Sequence, residues 1–87
     1  MTDARTQKNL EDEQQAAAQA EFQRYCQEHP GSPSAVRRPR LLRRGQSWIA
    51  LLGYTPDEGI AGIGPSVPAA LGEFDAEYLN SLRPPRG

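Results

Sequence analysis

Along this chain the spacing of apolar residues changes twice, and each change marks an element. From Asp3 to Glu28 the sequence is rich in Ala, Gln and Glu, with no Gly or Pro. That composition favours helix. Ala18, Phe22 and Tyr25 follow i, i+4, i+7 spacing with Cys26 alongside, and Leu10 and Ala17 extend the stripe upstream. The pattern predicts an N-terminal helix within residues 1–29, its first ten or so residues expected to fray. His29, Pro30 and Gly31 stop it. Residues 30–39 hold three prolines, a glycine and two serines, and read as an extended connector.

From residue 40 the period becomes two. Arg40–Arg44 predicts a strand with Leu41 and Leu42 on opposite faces. Gly45-Gln46 is a two-residue hairpin loop of the Gly-X kind, suited to a type II′ turn. Ser47–Leu52 predicts a second strand, with Trp48, Ala50 and Leu52 on one face and Ile49 and Leu51 on the other. Apolar residues on both faces predict a central strand covered on both sides. Residues 53–59 are a polar turn, and Ile60–Gly64 is a short third strand weakened by glycine.

The period then returns to helical. Ser66 suits an N-cap and Pro68 the first turn. Val67, Ala70, Leu71, Phe74, Tyr78, Leu79 and Leu82 are expected along one side of the helix. Gly72 inside it costs about 1 kcal/mol relative to Ala and is expected to admit a nearby strand. Residues 83–87 read as a tail.

The fold class is therefore α+β. A three-stranded antiparallel sheet and C-terminal helix form a core over residues 40–82. The N-terminal helix is expected on the opposite sheet face or on a second protomer. Two apolar faces on one 87-residue chain predict a homodimer, because something must bury the second face.

Composition narrows the chemistry. One cysteine excludes an intrachain disulfide, and Cys26 with His29 are the only soft metal ligands, too few for a zinc site. No cofactor is expected. No run approaches the ~18 apolar residues of a membrane span. The first residues show no apolar signal segment, so a cytoplasmic location is expected. His29 is the only side chain that could serve as the base of a Ser or Cys nucleophile. It sits beside a helix-stopping proline, and Ser47 and Ser66 suit strand and cap. The carboxylate pairs Asp57/Glu58 and Glu73/Glu77 lie in a turn and on a solvent face. The chain does not read as an enzyme. Gly59, Gly62 and Gly64 before a helix invite an anion, but close strand–helix packing is the commoner use of such residues.

Charge adds the candidate surface. The net charge is −1, yet Arg37, Arg38, Arg40, Arg43 and Arg44 fall within eight residues that contain no acid. Flanked by Trp48, this block could touch phosphates, meet an acidic protein, or guard a hairpin edge. The pI of about 5.7 argues against a dedicated nucleic-acid module. Tyr54, in the turn with Thr55 and Pro56, is an interface type of residue.

The run from Trp48 to Leu79 resembles the small HicB-like antitoxin modules, in which a strand, a turn, a glycine-containing third strand and a G-x-[ST]-x-x-x-A-L helix start follow in this order. Gly64, Ser66, Ala70 and Leu71 fill the corresponding places. The acidic residues usual at that helix start are missing. The resemblance covers about half the chain. It implies a partial double-stranded-RNA-binding-type sheet backed by a helix, a module that binds proteins as often as RNA. The whole chain also looks like short accessory proteins of phages and prophages. That likeness implies inhibition or modulation of a host protein, such as a bacterial defence (anti-CRISPR-like) component. The leading expectation is thus a non-enzymatic binding protein with a host or self partner. The alternative is an RNA- or DNA-binding, antitoxin-like module using Arg37–Arg44.

Overall fold

The computed structural model of the chain describes residues 4–55 and 57–82, the side chains of 4–12 excepted. Six elements follow one another: α1 (Ala4–Glu28), α2 (Pro33–Arg37), β1 (Arg40–Arg44), β2 (Ser47–Leu52), β3 (Ile60–Gly64) and α3 (Val67–Ser81). Residues 1–3, part of the stretch expected to fray, and the tail 83–87 lie outside the described residues.

The strands form one antiparallel sheet in the order β1-β2-β3. Arg44 pairs with Ser47 across Gly45-Gln46, and the register runs on unbroken to Arg40 opposite Leu51. Gly45 has φ +61, whereas Gln46 has no positive φ. That combination is the expected type II′ turn. On the other side of β2, Ile49 faces Ile63 and Ala50 faces Gly62.

Helix α3 lies across the face that carries Leu41, Ala50 and Gly62. Its approach is close enough that a Cβ on Gly62 would stand 2.1 Å from the Phe74 nitrogen, and one on Gly64 would stand 2.7 Å from the Ala69 Cβ. The close approach therefore belongs to β3. Gly72, expected to serve it, is exposed and faces open space. Ser66 caps α3 as expected, its Oγ accepting from the Ala69 N–H at 3.3 Å. Val67, Ala70, Leu71 and Phe74 are buried, and Tyr78 is half-buried. Leu79 and Leu82 are exposed, so the apolar stripe of α3 ends a turn earlier than its spacing predicts.

Two further expectations are corrected. Residues 30–39 are not simply extended: Ser32 caps the short helix α2, its Oγ accepting from the Ala35 N–H, with Pro33 at the first helical position. A serine followed by proline suits a helix start. Arg38 closes α2 in the left-handed region at φ 50, a C-cap conformation usually given to glycine. The second correction concerns α1. Its buried residues Ala18, Phe22 and Cys26 join the same core as Leu41, Ala50 and α3. Both long helices thus share one face of the sheet, and β2 is not covered on both sides.

A polar clasp fixes this helix layer. Asp75 of α3 accepts from the Tyr25 hydroxyl of α1 at 2.6 Å, and from the Ser34 N–H and Oγ of α2 at 2.8 and 2.7 Å. The Ser34 Oγ also lies 3.3 Å from the Leu71 carbonyl. Ser34 is fully buried, so its polar atoms need these partners. Among the described residues no buried side-chain polar atom lacks one. Burial, then the hydrogen bond to Asp75 and its negative charge, pushes the Tyr25 phenol well above its ordinary value of 10.0.

Candidate interaction surface

With both helices on one side, alternation along the strands defines what stands on the other. Three rows cross the open face. Arg40, Leu51 and Ala61 form one; Leu42, Ile49 and Ile63 form the next; Arg44 and Ser47 belong to the third. The middle row is apolar from edge to edge. Its outer members, Leu42 and Ile63, are 40% and 58% exposed.

The inner residues of this face are shielded by their own neighbours. Leu51 is only 2% exposed, although it is not part of the main core. Arg40 sits directly across from it and reaches on to donate from Nη2 to the Gly53 carbonyl at 3.0 Å. The aliphatic stem of Arg40 therefore passes beside Leu51 while its charge stays in water, as long basic side chains do. Ile49 is flanked by Leu42 and Ile63 and is likewise buried.

The five arginines do not form one patch. Arg40 and Arg44 stand on the open face, both exposed. Arg43 points to the helix side, with its guanidinium carbon 5.4 Å from the Trp48 ring centre. Its Nη1 donates to Gln14 of α1 at 2.8 Å and its Nε to the Gly45 carbonyl at 3.1 Å. Arg37 lies over the Tyr78 ring at 5.7 Å and donates from Nε to the Tyr78 hydroxyl at 2.8 Å. Arg38 borders a cleft of ≈ 340 Å³ with Gln23, Cys26, Gln27, Pro30 and Ala35. Contiguity in sequence is thus dispersed by a helix C-cap and by strand alternation.

Trp48 is half-buried and packs on the core, so it serves the fold beneath Arg43. Tyr54, at 91% exposure, stands at the tip of the β2–β3 turn. The open apolar row was expected from sequence only as a second face for the N-terminal helix or another protomer to bury, with none of Leu42, Ile49 and Ile63 singled out. Its alternation was legible, but its lack of a cover depends on where α1 packs.

The chemistry-bearing groups outside this surface pack against their own neighbours. Cys26 is buried, and desolvation raises its thiol above the ordinary value of 9.0. A thiol shifted that way is a poor nucleophile near neutrality. His29 stacks on Tyr25 with ring centres 4.5 Å apart. Among the described residues no group of His, Cys, Asp and Glu side chains is placed to hold a metal ion, and no helix is long and apolar enough to cross a membrane. The ion pair Arg24–Glu28, at 3.4 Å, is exposed along α1 and contributes little.

Comparison with protein families, with curated proteins and with solved structures finds no match to this chain.

Proposed function

We propose that this chain works by binding another macromolecule rather than by catalysis, and that the open sheet face is its contact surface. The observation that carries this reading is the row Leu42–Ile49–Ile63, apolar across all three strands and bordered on β1 by Arg40 and Arg44. An apolar centre with a charged rim is the usual build of a protein-binding patch. The dispersal of the arginines favours a protein partner over a nucleic acid. Arg37 and Arg43 are engaged with Tyr78 and Trp48, which leaves no continuous basic track for a phosphate backbone among the described residues. That the partner is a host protein, and the chain a mobile-element accessory acting on it, belongs to the same proposal. The likeness of the sequence carries that part, not the fold.

The test compares variants of two exposed apolar residues on opposite sides of the molecule. Ile63→Arg alters the open face, and Leu79→Arg alters α3. Proximity labelling in the native cell is expected to lose specific contacts, with other proteins or with further copies of the chain, for Ile63→Arg alone. Equal contact lists for both variants and the unmodified chain would remove the open face from function.

A further inference from the structure

We infer that the open sheet face is covered by a second copy of this chain, around a two-fold axis running parallel to the strands. This rests on the open face being a contact surface and names its occupant.

The first argument is self-complementarity. A half-turn about an axis parallel to β2 lays β1 of one copy over β3 of the other. Because Leu42, Ile49 and Ile63 share one row, that rotation sets Leu42 over the partner copy's Ile63 and Ile49 over its own equivalent. The two members of the row that remain exposed, Leu42 and Ile63, cover each other. Two sheets packed face to face with roughly aligned strands are a standard arrangement, and each sheet keeps its helices outside.

The second argument is charge, which selects between the possible axes. Arg40 and Arg44 both belong to β1 and both stand on this face. An axis across the strands would lay β1 on β1 and bring Arg40 of one copy against Arg44 of the other, a like-charge contact. The strand-parallel axis separates them. It carries Arg40, which already leans toward the β2–β3 turn through its bond to Gly53, to the end of β3 where Asp57 and Glu58 are exposed. Opposite charges then rim the apolar row.

Size sets the strength. Three strands of five or six residues span about 10 Å by 17 Å between strand axes and ends. That footprint is smaller than the ~800 Å² per partner of a typical stable complex. Association is therefore weak, with half-dimerisation expected between roughly ten micromolar and one millimolar.

Sedimentation equilibrium of the full chain from micromolar to millimolar concentration tests this. The mass is expected to climb from one chain toward two. Ile63→Arg and Leu42→Glu should each raise the dissociation constant at least tenfold while leaving the circular dichroism unchanged. Arg40→Glu and Glu58→Lys should each weaken the dimer a few-fold, and the two together should restore it. A mass of one chain up to a millimolar overturns the inference, and if the labelling contacts still depend on Ile63 the contact-surface reading survives with a different occupant. A dimer indifferent to Ile63→Arg and Leu42→Glu also overturns it, since another surface then joins the copies. Failure of the paired charge reversal to restore association overturns the axis and the inference with it.

Discussion

The middle rows of the two sheet faces invert a simple expectation about burial. Midway along the two strands beneath α3 the covered face offers small residues, Ala50 and Gly62, with Trp48, Leu52 and Ile60 only toward its ends, while the open face carries Ile49 and Ile63 in its middle row. At the middle of the sheet the bulkier row is the one left without a helix. What decides the matter is approach. A helix can settle on β3 only where no side chain intervenes, since even a methyl group at Gly62 would meet the backbone of α3. Once α3 is seated there, Phe74, Leu71 and Val67 supply the bulk from the helix side. Close packing in a small core is thus achieved by large residues on one surface and small ones on its counterpart.

If that comparison is right, the largest effect belongs to the smallest residue. Gly62→Ala should destabilise by more than about 3 kcal/mol, because the clash is with backbone and no rotamer relieves it. Urea titration followed by circular dichroism would read it, and a loss below 1 kcal/mol would mean that α3 is not held against β3. Next comes the clasp. Asp75→Ala removes a charged acceptor from three donors and leaves buried Ser34 short of a partner, at a cost of about 2–4 kcal/mol. The same titration is the measurement, and a change under 0.5 kcal/mol would show that the helix layer stands without the clasp.

A smaller effect depends on pH. The Tyr25 phenol is raised in the folded chain, so above a pH of about 10, the ordinary tyrosine value, the unfolded chain gives up this proton while the folded chain keeps it. Stability should then fall as pH rises, the sign expected when the folded state binds more protons. Tyr25→Phe should flatten the part of that decline that Tyr25 causes, leaving the contribution of the raised Cys26 thiol. An unaltered slope in this variant would place the proton linkage elsewhere. The smallest effect returns to the open face. Ile63→Thr keeps a β-branched side chain on an exposed strand position, and should change monomer stability by less than about 1 kcal/mol. A loss of several kcal/mol would mean that the open face is a core in its own right.

Much of this architecture was legible in the one-dimensional pattern, and the misses have a common cause. The hairpin, the three strands and the Ser66 cap follow from alternation and turn chemistry, which are local. The start of α2 was also locally encoded in Ser32-Pro33, but the prolines and glycine around it masked a helix of five residues. The exposed ends of the α3 stripe, Leu79 and Leu82, show the reverse case, where correct spacing outruns the length of the surface available to cover it. Of the candidate site residues, Arg40 and Arg44 fall on the open face, while Arg37, Arg38 and Arg43 are carried elsewhere by the turn at Arg38 and the alternation of β1. Tyr54 stands exposed in its turn, and Trp48 belongs to the core.

By itself the order of residues determined the strands, the register of β1 against β2 and the presence of apolar residues on both faces of β2, because the two-residue period and the Gly45-Gln46 turn are properties of neighbouring positions. Only the folded arrangement decided which row would be covered. That choice depends on Phe22, Tyr25 and Cys26 meeting Phe74 and Asp75 across some fifty positions of chain, and on Ser34 meeting Asp75 across some forty. No periodicity within a single segment records such a contact, because the steric fit and the hydrogen bonds that settle it exist only between segments.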